Sequence, residues 1–332
     1  MEIGMACHAA AHQQTRRPRR ALGRAATATA IVAIALAALA TGCVSRDLTR
    51  EQFADEYYSL GTGFLEAGDH ERAIRYLQRA VALRPAAVAA RFNLAAAFLE
   101  SGDTVAASDH LGQLLASDPD NRRVLELQAE SHRRGARWGD ALAVYGRLLE
   151  VQPRHPAARF NSAILLWTLG DRSAAAVQLR ALLNEYPDDH DARLHLGLLI
   201  ADAGDPVVGA FAEASTLLRD YLEEHPDAAD AVLALARVES AQRRYDAALD
   251  LYTEAEQLLP EDDPERAAAA FERAVILLTA VEDPIAGLVA LRTALQGGFR
   301  DEDRLASLLA RDDLLYRPMV LDTVANHGAS GE

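Results

Sequence analysis

Six prolines stand at one phase of this chain: Pro85, Pro119, Pro153 and Pro187 at intervals of 34 residues, Pro226 after 39, and Pro260 after a further 34. Twelve residues before each proline lies an alanine: Ala73, Ala107, Ala141, Ala175, Ala214 and Ala248. A third column runs through Leu77, Leu111, Tyr145, Leu179, Leu218 and Tyr252. Three columns in one register define a repeat array, in which each unit buries its apolar face on its neighbours instead of in one central core. Hydrophobic residues make up 50% of the chain and aromatic ones only 6%. Abundant alanine with few aromatics suits close helix packing and predicts an all-α solenoid, an architecture that more often binds than catalyses.

Each unit reads as two amphipathic helices. In the first, a helix A runs through Tyr57 to Phe64, Gly68-Asp69 turns the chain, Ala73, Leu77 and Ala80 form the buried stripe of helix B, and Pro85 stops it. The positions Leu60, Gly61, Phe64, Ala73, Leu77, Ala80 and Pro85, repeated as Leu94, Ala95, Phe98, Ala107, Leu111, Leu114 and Pro119, resemble the tetratricopeptide repeat pattern. The resemblance implies a right-handed superhelical solenoid of antiparallel helix pairs with C-terminal capping helices. Its units are expected at 54–87, 88–121, 122–155, 156–189, 190–228, 229–262 and 263–296. Five extra residues around Asp205 to Gly209 lengthen the fifth unit, and Asp283-Pro284 opens helix B of a degenerate seventh. Phe299, Leu305, Leu308, Leu309, Leu314, Leu315 and Val320 predict a helical cap over 297–325, followed by a frayed tail at 326–332.

Residues 1–42 read differently. Arg16, Arg17, Arg19, Arg20 and Arg24 precede an apolar run from Ala25 to Ala40, the layout of a secretory signal. Leu39-Ala40-Thr41-Gly42-Cys43 resembles the lipobox of bacterial lipoproteins. That resemblance implies cleavage before Cys43, a diacylglycerol thioether on its sulfur, acylation (palmitate) of the new amino group, and a lipidated tether over 43–53. The competing reading is an uncleaved anchor helix from Ala25 to Val44, a run of about 20 residues and long enough to span a bilayer. Both readings place the repeats outside the cytoplasm, facing a periplasm. Val44 in place of aspartate after the cysteine favours the outer membrane, and an uncleaved anchor would favour the inner one. Cys7 would leave with the signal and Cys43 would carry lipid, so the mature chain has no pair of thiols for a disulfide.

All 34 basic residues are arginine. Without residues 1–42 the chain has 29 of them against 48 carboxylates, a net charge of −19. Such an acidic body lacks the basic face that nucleic acid needs and is repelled by anionic lipid, so attachment to a membrane falls to Cys43. Helix A lines the concave face in the resembled family. On that basis Tyr58, Thr62, Phe92, Asn93, Phe160, Asn161, Ile164, Trp167, Leu194 and Leu198 form a candidate protein-binding groove, interrupted by Arg123, Glu126, Glu130, Arg133 and Arg134. An apolar strip with an arginine cluster suits a peptide carrying apolar anchors and an acidic group. The alternative reading packs Phe92 and Phe160 between helices and leaves Arg133-Arg134 as a solvated face. No catalytic residue, metal ligand or cofactor is expected. Gly61-Thr62-Gly63 lacks the lysine of a phosphate loop, and His190 and His195 miss the i, i+4 spacing that presents two ligands together.

The expectation is a non-enzymatic envelope lipoprotein that docks other envelope proteins, aiding assembly of a pilus, secretin or barrel complex. The alternatives are an adaptor for peptidoglycan hydrolases and an enzyme whose site leaves no sequence motif. Cys43→Ala is expected to abolish incorporation of labelled palmitate and to release the chain from membranes. Unchanged membrane retention without lipid would favour the anchor helix.

Overall fold

The computed structural model describes residues 49–203, 211–314 and 316–328. The signal segment, Cys43 and the extra residues of the fifth unit lie outside them. The described residues form sixteen helices and no strand. The helices divide into two compact units after Ala158. The first unit contains α1 (Arg50–Glu66), α2 (His70–Leu83), α3 (Val88–Glu100), α4 (Thr104–Ser117), α5 (Arg122–Arg134) and α6 (Trp138–Val151). The second is built from α7 (Pro156–Thr168), α8 (Arg172–Glu185), α9 (His190–Ala203), α10 (Phe211–Glu224), α11 (Ala229–Ala241) and α12 (Tyr245–Leu258), then α13 (Pro264–Thr279), α14 (Pro284–Gln296), α15 (Glu302–Ala310) and α16 (Arg317–Gly328).

In the first, second and fourth pairs the turn follows from local chemistry. Gly68, Gly102 and Gly170 take φ of 77°, 90° and 88°, the left-handed region that ends a helix. The aspartate that follows each glycine accepts the backbone N–H of the next helix: Arg72 on Asp69 (3.0 Å), Ala106 on Asp103 (2.9 Å) and Ala174 on Asp171 (3.0 Å). Between successive repeats the chain is tied by arginine. The guanidiniums of Arg91, Arg147 and Arg193 donate to the carbonyls of Pro85 (2.9 Å), Pro119 (2.6 Å) and Pro187 (2.9 Å). Helix α1 reaches back to Arg50, inside the segment read as a tether, because Thr49 and Gln52 form a reciprocal capping box. At the other end α16 continues through Gly328, so the start of the expected frayed tail is helical.

Packing is set by a small residue of one helix facing a large one of its partner, the small residue on helix A in the early pairs and, at Gly287 against Leu278, on helix B in the last. A methyl added at Gly61 would lie 2.6 Å from Leu77, and one at Gly197 would lie 2.6 Å from Leu218. Ala95 with Leu111, Ala163 with Leu179 and Ala236 with Tyr252 share buried clusters in the same way. The last pair is closed by α15 and α16: Phe299 stacks on Phe271 with centroids 4.2 Å apart, and Leu308, Leu314 and Val320 are buried beneath.

One buried carboxylate ties three helices of the second unit. Glu239 of α11 has no exposed side-chain surface and accepts from Ser215 Oγ (2.6 Å) and Arg219 (2.8 Å) of α10 and from Arg244 (3.2 Å), the N-cap of α12. Burial opposes its ionisation, but these hydrogen bonds outweigh burial and hold it below the usual carboxylate range. A depressed folded value contributes stability above the unfolded value, and that stability is lost as pH falls through the folded one. Glu239→Gln is expected to cost about 2 kcal/mol near neutral pH. It should also flatten the loss of stability on acidification. Urea titrations followed by circular dichroism at pH 7 and in the carboxylate range would measure both.

Candidate functional site

Seen residue by residue, the expected groove separates into core, internal ties and true surface. Phe160 and Leu194 are buried at 3% and 8% exposure inside the main cluster of the second unit. His195 holds the edge of Phe160 at 5.0 Å and lies 6.5 Å from Trp167, which is half-buried against the same cluster. Ile164 and Leu198 pack there as well. Asn161 is half-buried and makes no side-chain hydrogen bond among the described residues. In the first unit Tyr58 rests on the Leu77–Leu94 cluster, Phe92 rests on the Leu111 cluster, and Asn93 donates to Thr62 Oγ1 at 3.0 Å, linking α1 to α3.

The arginine cluster is largely committed. Arg133 grips Glu130 through two hydrogen bonds (2.7 and 2.8 Å), while Arg134 bonds Glu130 (2.7 Å) and pairs with Glu100 (3.2 Å). Burial raises the affinity of Glu130 for a proton, but the two guanidiniums win and hold it below the usual carboxylate range. Glu126 is engaged by His155, whose Nδ1 accepts from the Ala158 N–H (3.1 Å), leaving Nε2–H to donate to the carboxylate at 3.0 Å. Arg123 and Arg134 are both exposed, but Arg123 is in no ion pair among the described residues, and its guanidinium stands 5.2 Å over the Phe92 ring. Within each compact unit the expected strip is thus interrupted by buried side chains or by internal ion pairs.

A better-formed concavity lies further along the same columns. Between α9, α11 and α13 is a cleft of about 250 Å³ whose polar lining is Asp202, Arg237, Tyr252, Glu272 and, from α15, Arg304. Arg237 bonds Glu265 at 3.0 Å and approaches Asp202 only to 3.6 Å. Arg304 pairs with Glu272 and covers Phe271 and Phe299 at 5.1 and 5.3 Å. Tyr252 is 2% exposed, and its hydroxyl makes no hydrogen bond among the described residues. Burial above all, and the Glu272 charge after it, push its ionisation well above the ordinary phenol value. The sequence carried a signal for this cleft: the column through Tyr58, Phe92, Phe160 and Leu194 continues at Leu233, and that through Thr62, Ile164 and Leu198 continues at Arg237. Among the described residues no three histidine, cysteine or acidic side chains are grouped for a metal ion, and no helix is long and apolar enough to cross a membrane.

The tetratricopeptide repeat family accounts for this geometry. Models of that repeat match residues 64–130, 136–199 and 207–263, together more than half of the chain, and the chain belongs to the family. Over 133 residues it is 32% identical to the type IV pilus assembly protein PilF of Pseudomonas aeruginosa, a match covering 38% of this chain and 52% of that protein. The chain thus spans about half the length of this curated relative. A repeat protein from Cytophaga hutchinsonii superposes with a TM-score of 0.59 at 12% identity, over 76% of this chain and 99% of that one. YrrB, described as having an unusual peptide-binding site, superposes at 0.50 with 16% identity, over 55% of this chain and 92% of its own. Both structural likenesses concern the fold alone.

Phe160→Ser is expected to lower stability by roughly 3 kcal/mol or more through loss of buried surface and a residual cavity. Arg123→Ala should change it by less than about 0.5 kcal/mol. Thermal unfolding of the two variants would separate core from surface.

Proposed function

We propose that the chain is a membrane-tethered docking scaffold of the cell envelope that helps to assemble a larger complex there. The observation that carries this reading is the likeness to a pilus assembly protein within the repeat region. It is supported by the Arg-rich, apolar N-terminal segment ending in Cys43, by Val44 after that cysteine, and by the acidic body that makes lipid the means of attachment. In this reading Cys43 carries the lipid, the repeats face the periplasm from the outer membrane, and A-helix surfaces hold a protein subunit. Repeat arrays suit such work because each helix pair adds surface without needing a deeper core.

Photo-crosslinking side chains placed in intact cells would test it. Positions Arg123 and Asp202, on A helices, are expected to capture an envelope assembly complex. Val105 and Val177, exposed on α4 and α8, should not. Capture from the B-helix positions alone, capture of cytoplasmic proteins only, or no capture would overturn the proposal.

A further inference from the structure

One column of the A helices is buried at Leu94, Gln128, Ser162, Leu196 and Leu235. Leu94 shows why, because it packs with Ala73 and Leu77 of the repeat before it. Leu60 of α1 holds the same column and is 49% exposed, since no described residue forms a repeat ahead of it. Phe53, 41% exposed, and the half-buried Tyr57 and Phe64 lie on the same face of α1, at spacings of three and four. The last pair is closed by α15 and α16, whereas this face of the first has no cover among the described residues. Terminal repeats ordinarily turn a polar face outward, so an apolar one needs an occupant.

Arginine edges this face. Tyr76 of α2 stacks on Phe64 at 5.3 Å and lies 6.1 Å from Tyr57. Arg72 covers Phe64 at 4.7 Å and Arg79 covers Tyr57 at 5.5 Å, with the exposed Arg75 on the same side of α2. Arg72 is paired with Asp69 at 2.5 Å, but Arg75 and Arg79 make no ion pair among the described residues. Glu56 is the carboxylate within the α1 stripe. Charge also sets the first pair apart: residues 49–84 hold five arginines against six carboxylates, and residues 85–332 hold 23 against 41. Aromatic rings edged by guanidiniums suit a membrane interface, where rings settle at headgroup level and guanidiniums bind phosphate.

A second copy fits this face less well. Head to head it would set the arginines of two α2 helices against each other. Head to tail it would need a bare last helix pair, and α15 and α16 occupy that place. Lipid is favoured by the tether. Cys43 lies six residues before Thr49, and at about 3.6 Å per residue a lipid on its sulfur holds the start of α1 within about 22 Å of the bilayer. Phe53 is in the first turn of α1, so the uncovered face begins beside the point of attachment.

We infer that this end face rests on the membrane interface, with Phe53, Tyr57 and Leu60 at headgroup level and Arg75 and Arg79 on the phosphates of anionic phospholipid. The inference rests on the reading of Cys43 as the point of attachment and says which part of the tethered chain meets lipid. The anchor supplies affinity, and the face supplies orientation. The acidic later repeats are repelled by the same lipid.

The test uses the full chain, extracted from membranes in detergent and returned to vesicles of phosphatidylethanolamine and phosphatidylglycerol. A fluorescent amino acid replaces Leu60 or, as a control, Val177, which is exposed on α8. Phospholipids brominated on their acyl chains are expected to quench the label at 60 and not that at 177. Arg75→Ala should weaken the contact about fivefold, and high salt or phosphatidylcholine vesicles should weaken it as well. No quenching at 60, equal quenching of both labels, or undiminished quenching in phosphatidylcholine would overturn the inference and leave the tether standing in a chain that resists alkaline extraction. Quenching at 60 that follows chain density instead of brominated lipid would assign the face to a second copy and overturn it too. Release of the native chain by alkaline carbonate would instead remove the tether reading itself.

Discussion

Everything in this fold depends on how closely two helices of a pair can approach. The contact that sets the distance is a glycine or alanine of one helix against a leucine or tyrosine of the other, tight enough at Gly61, Gly197 and Gly287 that even a methyl group would collide. Close-packed interiors respond to single methylenes, so this position fixes the spacing of each pair. That spacing decides which side chains of the A helices are covered and which face outward. Phe160 and Leu194 fall on the covered side, and the Leu233–Arg237 edge lines a cleft.

Polar chemistry follows the same geometry. Buried or half-buried charges are almost all matched by a neighbour: Glu239 by Ser215, Arg219 and Arg244, and Glu130 by Arg133 and Arg134. With no lysine in the chain, every cationic partner is a planar guanidinium able to make several directed bonds at once. Such pairs lock helices together and remove cations from the surface offered to a partner.

In the proposed reading, attachment to a membrane falls to the N-terminal segment and recognition to the helix pairs. Likeness to a pilus assembly protein extends over part of the repeats, which agrees with a shared repeat architecture.

The sequence by itself determined the period, the helix pairs, their turns and the C-terminal cap. These are local or nearest-neighbour properties: Gly68-Asp69 makes its turn whatever lies elsewhere, and the alanine column must be small wherever two helices cross. Burial of a given groove position was not legible in the same way. Phe92 and Phe160 occupy the same column, yet one is half-buried and the other is core, because coverage depends on side chains one repeat away, such as His195 on Phe160. The neutralisation of Arg134 by Glu100 and the assembly of Asp202, Arg237, Glu272 and Arg304 into one cleft likewise join residues about one repeat apart or more. Only the packed tertiary structure brings them together, since the charge a partner meets depends on which groups have already paired within the fold.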